Sequence, residues 1–181
     1  MELLILTRDA APEGSRPILD GIAADLGLVP NLAATVAASP TLLAGFDGLR
    51  RAVAEKSFDP VHREIAGLAV GAAVDNAYGV AFHSTVLAGL GLDAGDIATM
   101  RKGEEPPDEQ RAAVYAFARA LVLDRGAIDD AVVERALAAG LTPADLLQLV
   151  TECVFASLVG IVDNLAGRVP LDEFLRPQAW P

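Results

Sequence analysis

Residues 59–91 read DPVHREIAGLAVGAAVDNAYGVAFHSTVLAGLG, and this stretch decides the fold. Asp59 followed by Pro60 is a helix N-cap with proline at the first helical position. From there to about Val74 the chain is apolar or small apart from His62, Arg63 and Glu64, which predicts a buried helix. Val74-Asp75-Asn76 interrupts the run, and either Asp75 or Asn76 can cap a second helix, about Ala77 to Leu90, stopped at Gly91.

The same punctuation extends in both directions. Pro17 to Leu26 reads as a helix ended by Gly27, and a short helix over Leu32 to Ala38 follows the turn at Val29-Pro30-Asn31. Ser39-Pro40 opens a helix expected to reach Lys56. Downstream, helices are predicted over Asp93 to Arg101, Glu109 to Asp124 and Asp129 to Ala139, closed by Gly103, Gly126 and Gly140. Glu104-Glu105-Pro106-Pro107-Asp108 is a surface connection. Thr142-Pro143-Ala144-Asp145 opens a last long helix to about Ala166. Pro170 to Pro181 reads as one helical turn and a tail from about residue 176. Leu3 to Leu6 is the one segment that reads as a short strand. No βαβ alternation and no tandem repeat is present. The expected class is all-α, with eight or nine helices in a single domain spanning residues 1–181.

Composition agrees with a packed helical domain. The chain has 181 residues, 52% hydrophobic and only 5% aromatic, so small aliphatic side chains must supply the core. The formal net charge is −11, and no Lys/Arg run forms a patch. Such a surface repels phosphate backbones and anionic headgroups, so neither nucleic acid nor membrane is an expected partner. Leu146 to Val162 is apolar, but Gln148, Glu152 and Ser157 make it a core helix rather than a span. The N-terminus lacks the positive region and cleavage site of a signal peptide. With the single cysteine, Cys153, this points to a cytoplasmic, reducing location.

Few residues can carry chemistry. Glu64 lies at helical spacing beside Leu68, Gly71 and Ala72. It either reaches an arginine or solvent, or is partly buried, which would raise its proton affinity. Asn76, Gly79 and His83 share one face of the second helix. His83 sits among Val80, Ala81, Phe82 and Val86, as a hydrogen-bonded core histidine or a pocket residue. Asn76 reads first as a cap and second as an amide donor. Gly79 permits close packing or opens space for a ligand. Glu152, inside the most apolar helix, requires a partner: a structural salt bridge or a third pocket member. Cys153 reads as an inert buried thiol, and His62 as a surface residue. The two histidines offer no ligand spacing for a metal, and no nucleophile elbow or nucleotide-binding motif occurs. No cofactor is expected.

The spacing Glu64, eleven residues, Asn76, two residues, Gly79, three residues, His83 resembles the Glu–Cys–Cys–His signature of the alkylhydroperoxidase D and carboxymuconolactone decarboxylase superfamily. "REIAGLAVGAAVDNAYGVAFHSTVLAGLGL" resembles its core helix pair. "LGLVPNLAATVAASPTLLAGFDGLRRAV" and "LTPADLLQLVTECVFASLVGIVDNLAG" resemble the flanking segments of its peroxidase-like branch. The resemblance covers residues 17 to 175 and implies an alkylhydroperoxidase D-like helical bundle, assembled as a trimer or hexamer. In the thiol peroxidases one cysteine attacks the peroxide and the other resolves the sulfenic acid. Asn76 and Gly79 stand at those positions and can do neither. What the resemblance carries over is Glu64 and His83 as a proton relay, with Tyr78 between the altered positions as a further member.

The expectation is therefore a cofactor-independent acid–base enzyme of decarboxylase, lyase or isomerase type, acting on a small organic acid or lactone. Glu64 and His83 would shuttle the proton, Asn76 would donate to a substrate oxygen, and Gly79 and Glu152 would contact substrate. The alternatives are a peroxide-consuming antioxidant protein dependent on Cys153, and a non-catalytic scaffold whose pocket is filled.

Overall fold

The computed structural model describes residues 3–54 and 58–180. Nine α-helices run through them in the order α1 (Arg16–Leu26), α2 (Asn31–Val36), α3 (Pro40–Val53), α4 (Pro60–Ala73), α5 (Ala77–Gly89), α6 (Ala94–Arg101), α7 (Glu109–Leu123), α8 (Asp130–Ala138) and α9 (Pro143–Ala166). Short 3-10 turns cover Glu13–Ser15 and Glu173–Gln178. The fold is all-α. The expected end of α3 at Lys56 lies outside the described residues.

The sequence punctuation acts as read. Ser39 accepts from Leu42 N, Asp59 from Val61 N and His62 N, and Asp108 from Arg111 N, each satisfying amides that a helix start leaves open. Thr142 and Asp145 form a reciprocal capping box at the head of α9. α9 ends where Gly167 turns left-handed at φ 71°.

α4 is the central element. It packs on α5, α7 and α9, and Ile65, Ala66, Leu68, Ala69 and Val70 on it are fully buried. One core cluster joins α4 to α6, α7, α8 and α9; a second gathers α1, α2 and α3 against Tyr78, Ala81, Val159 and Val162. α5 and α9 contribute to both. Each fully buried aliphatic side chain contributes about 1.5–3 kcal/mol, so these two helices are held from both sides. α9 is long and apolar enough to cross a membrane by length and composition alone, but Leu149, Cys153 and Ala156 place it in the first core cluster.

The junction of α5 with α9 is fastened by polar contacts. Asp163, with no exposed surface, accepts from Val169 N at 2.7 Å, Tyr78 N at 3.3 Å and the Arg168 guanidinium at 3.3 Å. Arg168 also binds the Asp75 carboxylate at 2.8 Å. Asp75 and Arg168 are both left-handed, at φ 55° and 86°, and each holds the other in that sparsely populated conformation.

Two expectations at the ends of the chain are corrected. Leu3 to Leu6 forms no strand. It runs as an irregular segment with one backbone bond, Leu6 N to Ala34 O at 3.2 Å, because no strand occurs among the described residues to pair with it. The segment from about residue 176 is docked rather than a free tail. Arg101 donates to the carbonyls of Gln178 and Ala179 at 3.0 and 2.7 Å, and Leu175 is fully buried. His62, expected at the surface, is half-buried beside the Phe58 ring.

Candidate active site

The helix pair α4–α5 brings Glu64 and His83 together. Glu64 Oε2 and His83 Nδ1 are 2.8 Å apart, and both residues are buried. The approach depends on Gly67, one turn after Glu64 on the same face of α4. The His83 ring lies over it so closely that a Cβ at position 67 would sit 2.1 Å from the ring. Phe82 meets the imidazole edge-on, with ring centroids 5.3 Å apart. Arg63 donates to Glu64 Oε1 at 2.9 Å and to the Val53 carbonyl at 3.1 Å.

Glu64 occupies Nδ1, so Nε2 is the working end of the imidazole. It faces Glu152 on α9, whose Oε1 lies 3.9 Å away. That is too long for a direct hydrogen bond. Among the described residues, His83 is the one cation within 4.0 Å of the Glu152 carboxylate, so Glu152 is a pocket member and not half of a structural salt bridge with an arginine.

The electrostatics follow from burial and partners. Burial presses Glu64 upward, but the His83 hydrogen bond and the His83 and Arg63 charges outweigh it and hold the carboxyl below its ordinary value. Burial disfavours the His83 cation, yet Glu64, aided by Glu152, holds the imidazole above its ordinary value. Glu152 has no hydrogen bond of comparable strength. Burial drives it from 4.5 up to about 7, with His83 opposing. Two carboxyls flanking one imidazole thus differ sharply in proton affinity because only one is bonded to it.

These groups line a cavity of about 300 Å³. Phe46, Phe82, Phe155, Leu32, Val86 and Val159 are among its apolar lining, with Arg50, Arg63, Tyr78 and Gly79 also lining it.

The remaining expected residues are placed differently. Asn76 does not reach the cavity, which corrects its reading as a substrate donor. Its Oδ1 accepts from Gly79 N at 2.9 Å as the α5 N-cap, and its Nδ2 is buried without a partner. The amide fills the space where a Cβ on Gly79 would lie, 2.2 Å from Nδ2. Tyr78 lines the cavity, but its phenol donates to Asp172, which also accepts from Asn31 N at 3.1 Å. Burial, then Asp172, raises the phenol far above its ordinary value, so it serves the wall rather than the Glu64–His83 pair. Cys153 is 1% exposed, is not among the cavity residues, and is pushed up to about 12 by burial and the neighbouring Glu152. Among the described residues, no cluster of three metal-ligating side chains occurs.

Three site features escaped the sequence reading. Arg63 adjoins Glu64 in sequence, where helix geometry ordinarily turns neighbours apart. Gly67 was detectable as a small residue three positions after Glu64. Phe46 and Phe155 carry no local signal, since they reach the cavity from distant helices.

The bundle has an alkylhydroperoxidase D-like fold, sets an imidazole between two carboxyls against a cavity, and carries one cysteine, which is buried. Residues 40–122 match the model of the carboxymuconolactone decarboxylase family. The family match and the structural likenesses support assignment to the alkylhydroperoxidase D/carboxymuconolactone decarboxylase superfamily. Similar solved structures include an alkylhydroperoxidase AhpD core, peroxidase-related protein from Ralstonia eutropha JMP134, with TM-score 0.79 and 22% identity, covering 95% of this chain and 93% of that one. A peroxidase-related protein from Silicibacter sp. TM1040 gives 0.77 and 18%, covering 96% and 94%. The debrominase Bmp8, as a variant in complex with 2,3,4-tribromopyrrole, gives 0.78 and 16%, covering 98% and 95%. These likenesses establish the fold. No curated protein matches the chain.

Proposed function

We propose that the protein is a cofactor-independent acid–base enzyme of isomerase, lyase or decarboxylase type, acting on a small lactone or organic acid. The reading is carried by the 2.8 Å Glu64–His83 hydrogen bond, which leaves Nε2 facing an apolar cavity. In such a site Nε2 takes a proton from a carbon next to a carbonyl. The C–H electron pair forms a carbon–carbon double bond as the carbonyl π pair moves to its oxygen, and the imidazolium, held by Glu64, returns the proton to a different atom. Burial of both side chains and their mutual hydrogen bond set the pair's proton affinities for that exchange.

The test is isomerisation of the unsaturated lactone α-angelica lactone in D₂O, followed by proton NMR. The parent should accelerate loss of the ring C–H signal, and His83→Ala and Glu64→Gln should reduce the rate about 10²–10⁴-fold with the fold intact. Equal rates in the parent and both variants would refute the reading. A thiol peroxidase would need a thiolate at the cavity, and Cys153 does not supply one there. A filled pocket was the mark of a scaffold; here a cavity is present.

The assembly is a homo-oligomer in this reading. Leu147, Val154, Ile161 and Leu165 recur along one exposed face of α9 at 71%, 50%, 64% and 54% exposure, and a second copy covers that stripe. Native mass spectrometry should show a trimer or hexamer, converted to monomer by Ile161→Glu.

A further inference from the structure

Aromatic and aliphatic side chains line much of the cavity, and among its polar lining His83 Nε2 and Glu152 Oε1 stand 3.9 Å apart with no direct hydrogen bond between them. Glu152 is 4% exposed and His83 7%. A single oxygen set between the two atoms would lie within reach of both, whereas a carboxylate would bring a second negative group beside Glu64.

The cations lining the cavity do not offset that charge. Arg50 is held by Asp47 and Asp25, both at 2.7 Å. Arg63 is held by Glu64 and the Val53 carbonyl. Each guanidinium therefore already has acceptors of this chain, and an incoming anion would have to displace them. The charged and titratable groups lining the cavity are Arg63 and Glu64 on α4, Tyr78 and His83 on α5, Glu152 on α9 and Arg50 on α3. Arg50 is paired with Asp25 and Asp47, and Arg63 and His83 with Glu64, so a neutral guest leaves every one of these pairs intact. Size agrees: an apolar cavity of about 150 Å³ already admits benzene, and this one holds about 300 Å³.

We propose that the site takes a small uncharged ring compound bearing one carbonyl or hydroxyl, with that oxygen held between the Glu152 carboxyl and His83 Nε2, and that it rejects the corresponding carboxylate. Glu152 is then a substrate-contacting residue whose carboxyl donates to the oxygen. The inference rests on the acid–base reading of this site and narrows it from organic acids to uncharged lactones, ketones and phenols. Phe82 and Phe155 provide the apolar faces against which the ring packs.

The experiment measures binding, not turnover, so it stands apart from the lactone assay. p-Cresol and p-toluate share one ring and one methyl group and differ in charge at pH 7. Titration calorimetry and saturation-transfer NMR should show p-cresol binding at least about tenfold more tightly than p-toluate. Glu152→Gln keeps a donor of the same shape and should retain p-cresol binding within about threefold. Glu152→Ala should weaken it about five- to tenfold, the loss of one buried hydrogen bond, with amide NMR spectra confirming the fold of both variants. Equal or tighter binding of p-toluate would overturn the proposal. So would p-cresol affinity indifferent to Glu152→Ala, or no p-cresol binding at millimolar concentration. Any of these alongside lactone exchange that still depends on His83 would remove the substrate class and leave the acid–base reading standing.

Discussion

Replacing Glu152 by glutamine removes the one acid in the cavity that burial leaves poorly compensated. Its carboxyl is raised from 4.5 to about 7. Between those values the unfolded chain has released this proton and the folded chain has not, so the group's stabilising contribution is full below about pH 4.5 and is lost as pH rises through about 7. At about 1.4 kcal/mol per pH unit, the full span corresponds to about 3 kcal/mol. Coupling to His83 shares part of that change, so about 2–3 kcal/mol is the working range. Glutamine has similar shape and no charge to release, and Glu64 and His83 titrate in both proteins. Urea unfolding at pH 4.5, 5.5, 6.5, 7.5 and 8.5 isolates the difference. The stability of the parent relative to Glu152→Gln should fall by about 2–3 kcal/mol across the series, mostly below pH 7.5. Parallel curves would show that Glu152 is ionised at its ordinary value and would refute the electrostatic account of the cavity.

Other perturbations address the supports of the site. Gly67→Ala places a methyl group 2.1 Å from the His83 ring. It should cost about 1–3 kcal/mol and shift the His83 ring signals in NMR, while an unchanged imidazole spectrum would contradict the packing described. Gly79→Cys alone forces Asn76 out of its cap and should destabilise by about 1–2 kcal/mol, whereas Asn76→Cys with Gly79→Cys should be less destabilised than the sum of the two changes; thermal melts of all three decide it. Asp163→Ala removes one acceptor from three buried or partly buried donors and should cost at least about 3 kcal/mol, read by chemical denaturation.

Much of this architecture was legible because the sequence states its helix starts in side-chain chemistry. Ser39-Pro40, Asp59-Pro60 and Thr142-Pro143 are local devices, and each acts within one turn of its own position. The convergence of Glu64 on His83 was legible for a related reason: a short hinge at Val74-Asp75-Asn76 joins two consecutive helices and leaves them little choice but to pack face to face. Glu152 was harder. In a helix apolar on most sides, periodicity does not say which residue faces the cavity, so a salt bridge and a pocket role were indistinguishable. Phe46 and Phe155 were invisible because they reach the cavity from helices far from Glu64 and His83 in sequence. Leu3 to Leu6 misled because strand propensity has no meaning without a partner, and the C-terminal segment because its anchors, Arg101 and Tyr78, are remote in sequence. Asn76 was readable as a cap. What the sequence hid was the fit of its amide into the space a side chain at Gly79 would need.

That fit has an evolutionary side. A cysteine acquired first at position 79 meets the Asn76 amide, and one acquired first at position 76 gives up the cap of α5 and leaves a lone thiol. Neither intermediate gains sulfur chemistry to set against its loss of stability. A thiol pair at these two positions therefore lies beyond the reach of single substitutions, while the cavity wall stays free to vary.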